Sequence, residues 1–386
     1  MQIVVKTGNV CNFACVYCSE GDAAPMVLEE ETFHQLVDGL PELLERQQDK
    51  AVTILWHGGE PLLWGLERLD RAMDYAEKQL EDYALSFTMQ TNGYLIDDAA
   101  MAVLQHHAVQ VGVSLDGYPD MQDRNRPTKD GQSTFVVVWQ NIQRLRQAHL
   151  GGSILMVLNT AEAIDVDRLY QFIEENQLYC KINPLIPCGR AADCPDAGAI
   201  YRNYVQLLEQ LYEKAVSSQE RIILDPLDKL MDAILWERSP GECTYSGTCS
   251  QDILCLYADG QIGFCGRDSA TEKFAYGCLQ DASLLELYDS GTAQRVRARD
   301  AYLAQHDCRN CDVWDLCHGG CTFEALNAVG TLEAAFPFCQ ERRELLHYLQ
   351  TTGLVLLKER LIREKRQLRF QRDRKKKFLK EVAQDA

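Results

Sequence analysis

Three cysteines in the spacing CxxxCxxC, Cys11, Cys15 and Cys18, follow directly on the apolar run Ile3-Val4-Val5. Thiols this close on one loop converge on a common point, and whatever the chain folds into must present that loop. A site that needs four protein ligands would be one short. A cubane iron–sulfur cluster held by three thiolates keeps one iron open, as a cluster that binds a substrate or cofactor requires. The same open position separates catalytic from structural zinc sites. The competing reading is a chance cluster, or three-quarters of a zinc site completed elsewhere, because cysteine spacing alone does not fix the metal.

Sixteen cysteines in 386 residues are many for a reducing compartment, where clustered thiols more naturally hold metal than form disulfides. The length allows one large domain or two of ordinary size. With 46% hydrophobic and 25% charged residues there is ample material for a core. No apolar run approaches the roughly 18 residues of a membrane span. The first residues lack the charged-then-apolar pattern of a signal peptide, so a cytoplasmic protein with no membrane attachment is expected. The net charge of −18 is uneven: from Lys358 to Lys380 twelve basic residues face three acidic ones, a net +9 that leaves −27 on the remainder. An acidic body argues against nucleic acid as a partner.

From Met1 to Pro184, short apolar runs rich in β-branched or aromatic residues alternate with helical patterns. The runs predict strands at Ile3–Lys6, Ala51–Trp56, Leu85–Gln90, Val109–Leu115, Ser153–Leu158 and Tyr179–Asn183. Helices are expected at Glu29–Arg46, Leu66–Leu80, Asp97–His106, Ser133–Ala148 and Asp165–Glu175, with Asp97 and Asp165 as caps. Such alternation predicts a parallel sheet with helices outside. Six strands are too few for a closed eight-strand barrel, which leaves an open partial barrel or a doubly wound sheet. In either, ligands gather at the carboxyl ends of the strands.

Past Pro184 two helical stretches run through Trp236. A cysteine-dense region follows from Pro240 to Cys339, with a hairpin over Ile253–Cys265 turning at Asp259-Gly260, a dipeptide favoured in two-residue turns. From Glu341 the pattern is helical. The expected organisation is a first domain at 1–235, a second at 236–345 and a basic helical tail at 346–386.

The strand ends carry the polar motifs. Trp56-His57-Gly58-Gly59-Glu60-Pro61 follows strand two, Gln90-Thr91-Asn92-Gly93 strand three, and Ser114-Leu115-Asp116-Gly117 strand four, with Asp123-Arg124-Asn125-Arg126-Pro127 close behind. Singly each is an ordinary loop; together they place glycine-rich or polar loops on one rim.

These residues resemble the radical SAM superfamily: CxxxCxxC with Tyr17 before its last cysteine, then Gly-Gly-Glu-Pro, Thr91-Asn92-Gly93 and Ser114-Leu115-Asp116-Gly117. The resemblance implies an α/β fold, a partial (β/α)6 TIM-like barrel. It implies a [4Fe–4S] cluster on Cys11, Cys15 and Cys18 that binds S-adenosylmethionine at its fourth iron. Gly58, Gly59 and Glu60 would line the methionine amino group. Ser114 and Arg126 would meet its carboxylate or ribose with Asn92 nearby, and Tyr17 would lie by the adenine.

Farther on, Cys249, Gly260, Cys265, then Cys308-x2-Cys311-x5-Cys317-x3-Cys321 and Cys339 resemble the SPASM extension, which holds two auxiliary [4Fe–4S] clusters. With Cys243 there are eight cysteines for the two. The resemblance gives Cys243, Cys249, Cys265 and Cys321 to the first and Cys308, Cys311, Cys317 and Cys339 to the second, three clusters in all. Cys255 could replace Cys243 or Cys249. It and Cys180, Cys188, Cys194 and Cys278 read as small buried residues or as thiol hydrogen donors.

The chemistry so implied is a 5′-deoxyadenosyl radical, formed with an electron from a reductant such as flavodoxin or ferredoxin, abstracting hydrogen from a substrate. Relatives with a full SPASM array mostly modify peptides. The leading expectation is a maturase of a ribosomally made precursor peptide, crosslinking, rearranging or excising part of it. No extra N-terminal domain precedes strand one, so a separate leader-peptide-binding partner is expected. The alternative is a sulfatase-type protein maturase. Against it, those enzymes usually carry an aspartate after the cysteine matched by Cys265, whereas here Gly266 follows and the nearest aspartate is Asp268. From another class, a zinc-stabilised interaction protein would use the same cysteines. The basic tail reads as a solvated helix or as a docking site for an acidic leader. No general base stands in a diagnostic spacing.

Overall fold

The computed structural model describes residues 1–20, 24–194, 196–267 and 275–366. Asp268 and residues 367–386 of the tail lie outside them.

Six parallel strands stand side by side in sequence order: β1 (Gln2–Lys6), β2 (Ala51–His57), β3 (Ala84–Thr91), β4 (Gln110–Ser114), β5 (Gly151–Leu158) and β6 (Tyr179–Pro184). The order never reverses, so the sheet is the partial barrel and not the doubly wound alternative. Helices α1 (Glu30–Gln47), α2 (Leu66–Gln79), α3 (Asp98–His106), α4 (Pro119–Asn125), α5 (Phe135–Gln147) and α6 (Val166–Glu175) make the crossovers. Asp97 and Asp165 cap as their positions predict, accepting from Ala100 N at 2.8 Å and Arg168 N at 3.0 Å.

Burial alternates with period two along β2 to β6, while β1 is buried on both faces from Ile3 to Lys6. Ile3, Val5, Ile54, Trp56, Met89, Val111, Ile154 and Met156 are sealed beneath the helices. The opposite row, including Leu55, His57, Gln90, Ser114, Leu155, Lys181 and Asn183, stays partly exposed and lines the concave face. α1 supports this arrangement with one apolar stripe, Phe33, Leu36, Val37, Leu40, Leu43 and Leu44, all buried.

Two features extend the sheet beyond six strands. A short β7 (Ile223–Asp225) adds beside β6, between α7 (Ala197–Ser217) and α8 (Leu227–Trp236). On the other edge β8 (Ile253–Leu256) pairs parallel with β1, Gln2 opposite Ile253 through Val5 opposite Leu256. β9 (Gln261–Gly263) and β10 (Gly277–Cys278) continue antiparallel, giving one ten-stranded sheet among the described residues. The cysteine-rich region is therefore joined to the barrel by its sheet.

The hairpin turns where expected but by a different device. Tyr257 N bonds Gln261 O at 2.9 Å and encloses three residues, with Gly260 at φ 85°. This is the three-residue loop with a left-handed glycine, not a two-residue turn. Among the described residues no helix is long and apolar enough to cross a membrane.

Candidate functional site

The loop after β1 is held from three sides. Ala14 N bonds Pro127 O at 2.8 Å, Val16 N bonds Asn125 O at 3.0 Å, and Arg190 N bonds Cys18 O at 3.0 Å. On the third side, Gly59 N and Glu60 N bond the carbonyls of Gly8 and Val10 at 2.8 and 2.9 Å. The two glycines are needed for this docking. A Cβ on Gly58 would lie 2.3 Å from Gly8 O, and one on Gly59 2.4 Å from Val10 O. Their own carbonyls are met by no described donor, which leaves two acceptors on the rim.

Cys11, Cys15 and Cys18 are half-buried and act on one another electrostatically. Burial pushes the Cys15 thiol up to about 12, against the pull of Arg126. Asn92 Nδ2 reaches Asn12 Oδ1 at 2.7 Å and Cys11 Sγ at 3.7 Å. Among the described residues the buried Asn12 Nδ2 finds no partner, a donor left over beside Cys11.

Glu60 is a strut between loops. Its carboxylate accepts from Leu62 N at 3.2 Å, Thr91 Oγ1 at 2.7 Å and Asn92 N at 2.8 Å. Burial still pushes its pKa up to about 7. Tyr17 and Arg126 meet at Asp116, a buried residue of the Ser114-Leu115-Asp116-Gly117 motif to which the motif alone gave no role. Asp116 accepts from the Tyr17 hydroxyl, from Arg126 Nε at 3.0 Å and from Val157 N at 3.1 Å. Burial works against the Arg126 charge, but Asp116, Tyr17 and Cys15 more than hold it. A fixed positive charge therefore lies beside Cys15. Ser114 faces the concave side, its hydroxyl accepting from Gln90 Nε2 at 3.0 Å.

The eight downstream cysteines fall into two groups. Cys249 and Cys321 each feel Cys243 and Cys265. Cys308 feels Cys311, Cys317 and Cys339. Cys255 lies fully buried on β8 in register with Val4. Four sulfurs around one tetrahedral zinc stand about 3.8 Å apart, given a Zn–S bond of about 2.3 Å. Among the described residues the sole trio of candidate ligand atoms lying within 4.8 Å of one another is Asp74, His106 and His107. No trio of the described cysteine sulfurs is therefore drawn together as a single zinc ion would draw it.

The first group adjoins the concave face. Arg267, electrostatically coupled to Cys243, Cys265 and Cys321, pairs with Glu324 at 3.3 Å and acts on His57 at the end of β2. A cavity between β6 and this region is lined by Lys181, Asn183, Tyr201, Glu242, Arg267 and Arg342. Lys181 pairs with Glu242 at 2.6 Å. Gly266 packs on Val4, and a Cβ there would lie 2.7 Å from Val4 Cγ1. An aspartate at that position would have to displace the Val4 side chain. Motif spacing missed Arg267 and Glu324, and gave Asp116 no role, because each is defined by a partner outside its own motif.

The profile of the radical SAM superfamily matches residues 5–173. The cysteine-type anaerobic sulfatase-maturating enzyme of Clostridium perfringens is 24% identical over 359 residues, covering 90% of this chain and 96% of that protein. The serine-type anaerobic sulfatase-maturating enzyme of Klebsiella pneumoniae is 26% identical over 331 residues, 84% of this chain and 81% of that one. Among solved structures, native anSMEcpe with bound AdoMet and Cp18Cys peptide superposes with a TM-score of 0.78 at 21% identity, covering 93% and 98% of the two chains. Streptococcus suis SuiB bound to S-adenosylmethionine has a TM-score of 0.62 at 15% identity, over 88% and 77%.

Proposed function

Since this chain carries a radical SAM domain and is related along most of its length to anaerobic sulfatase-maturating enzymes, we propose that it oxidises a side chain of a peptide or protein segment by hydrogen abstraction. One rim carries the reading: the three-cysteine loop, the unused carbonyls of Gly58 and Gly59, and an open concave face that reaches the first four-cysteine group. Cys11, Cys15 and Cys18 would hold a cluster with an open position for S-adenosylmethionine, which with one electron from a flavodoxin- or ferredoxin-type donor would supply radical chemistry for hydrogen abstraction.

The protein's own residues do the positioning. Gly58 and Gly59 would offer carbonyls to the methionine ammonium. Asn12 and Asn92 would donate toward the cluster, and Ser114 and Gln90 would offer polar contacts along the concave wall. Asp116 fixes Tyr17 and Arg126 beneath the site. The two downstream groups would hold two auxiliary clusters, Cys243, Cys249, Cys265 and Cys321 the first and Cys308, Cys311, Cys317 and Cys339 the second. The peptide would enter over the cavity at Lys181 and Arg267.

Sulfatase-type maturation is favoured over crosslinking of a ribosomal peptide, the leading sequence expectation, because the sulfatase-maturating relatives align over nearly their full length. Gly266 keeps the ribosomal-peptide reading, with its separate leader-binding partner, as the second. If the chain oxidises a serine or cysteine, the proton acceptor is not at position 266.

Anaerobically loaded protein is expected to be brown, with about twelve iron per chain for three cubane clusters. Incubated with reductant, S-adenosylmethionine and a sulfatase-motif peptide, it should release 5′-deoxyadenosine and leave the peptide dehydrogenated; Cys15→Ala should do neither. Absence of 5′-deoxyadenosine from iron-loaded protein would sink the radical reading. Its release with a crosslinked peptide, or with a change only in a leader-bearing precursor, would favour the second.

A further inference from the structure

The two downstream cysteine groups are joined by a very short peptide, Cys317-His318-Gly319-Gly320-Cys321, which runs from the second group to the first. Its three central residues are all left-handed, with φ of 50°, 70° and 72°. A Cβ on Gly319 would lie 2.3 Å from Leu303 Cδ1, and one on Gly320 2.5 Å from Phe336 Cβ. The bridge is thus packed to a single path.

One helix, Gly291–Gln305, grips that bridge with consecutive residues. Arg299 Nη1 donates to Gly320 O at 3.1 Å, and Nη2 donates to Gly319 O at 3.0 Å and Ala334 O at 2.9 Å. Asp300 Oδ1 lies 3.0 Å from His318 Nδ1. Arg299 is 5% exposed, and among the described residues it bonds carbonyls and no carboxylate while its buried Nε has no partner. The thiols that act on it are Cys321 and Cys249 of the first group and Cys308 of the second. A buried cation without a counter-ion is costly, so an anion is expected on each side of it. Cubane clusters with four thiolates each are such anions. By contrast, the cysteines acting on Arg267 are Cys321, Cys243 and Cys265, all of the first group.

We propose that Arg299 is the shared counter-charge of the two auxiliary clusters, clamping the peptide that joins them and setting both reduction potentials together. The inference rests on the auxiliary-cluster reading above. Its sign follows from charge: reduction adds an electron, which the guanidinium stabilises, so removing the cation moves both couples to more negative potential.

The test is an EPR-monitored redox titration of the full-length, anaerobically reconstituted protein, with iron counted per chain. In Arg299→Gln, which keeps donors for the carbonyls but loses the charge, both auxiliary couples should fall. The expected shift is a tenfold change in the oxidised-to-reduced ratio at fixed potential, about 59 mV for a one-electron couple. Arg299→Lys, which keeps the charge, should shift both by less or not at all, and Arg267→Gln should move one couple only. A fully loaded Arg299→Gln protein with unchanged couples, or with one moved and one not, overturns the proposal. Should Arg299→Gln fail to load, the neutral Arg299→Met and the charged Arg299→Lys decide: a common negative shift in Met that is larger than in Lys supports the proposal, and equal or divergent couples in the two, or a large shift of one couple alone in Lys, refute it. A wild-type protein holding only about four iron would overturn the auxiliary-cluster reading itself, and this inference with it.

Discussion

His57 shows how a single side chain on the rim is set by its surroundings. Its Nδ1 accepts from Gly58 N at 2.7 Å, which leaves the remaining proton on Nε2, facing the concave side. Burial, then Lys6 and Arg267, push its pKa down from 6.5 to about 4. Because the folded value lies below the unfolded one, the contribution to stability is complete above pH 6.5 and is lost as pH falls toward 4. His57 is partly open to solvent, so the loss should be about 1–2 kcal/mol, less than the full shift implies. Denaturant melts of wild type and His57→Gln at both ends of that window should differ by this amount; parallel losses would mean the imidazole is not the group being titrated. At this scale the sequence was legible where chemistry is carried by spacing, as with Cys11, Cys15, Cys18 and the glycine pair. Asp116 and Arg299 were not, because their meaning lies in buried partners: Tyr17 for the one, two glycine carbonyls for the other.

Among the elements, β1 matters most, because it is central only through β8. The barrel strands were readable from their apolar runs and the helices from their stripes, since both signals are local. β7 is three residues long, too short to show a period. The β1–β8 pairing joins residues some 250 positions apart and leaves no local trace. It has an energetic consequence. Without β8, Ile3, Val4 and Val5 would form an open, flat apolar edge, the kind that recruits other chains. The cover is mutual, because Gly266 packs on Val4 from the cysteine-rich side. A chain ending after Trp236 should therefore aggregate, read by light scattering after size exclusion, while the full chain stays dispersed. A monomeric fragment with a cooperative melt would mean that the barrel part folds alone and that the shared sheet is incidental.

On the scale of the molecule, the charge asymmetry acquires a partial structural account. Two arginines of the basic segment are used internally: Arg360 donates to the carbonyls of Ala215 at 2.8 Å and Glu220 at 3.2 Å, and Arg363 to that of Val216 at 2.8 Å. The bonds to Ala215 and Val216 meet the last carbonyls of α7, where cations are favoured by the helix dipole and by unsatisfied acceptors. Residues 367–386 keep seven basic against three acidic residues, a net +4 on a chain whose total is −18. Ending the chain after Leu357 removes the caps and should cost about 1–2 kcal/mol in a denaturant melt. If the charge of residues 367–386 draws in an acidic peptide, ending the chain after Arg366 should weaken peptide binding at low salt. That difference should vanish near 1 M salt, where the screening length shrinks to about 3 Å. Equal affinity for the full and shortened chains at low salt would remove docking from the tail and leave it the capping role alone.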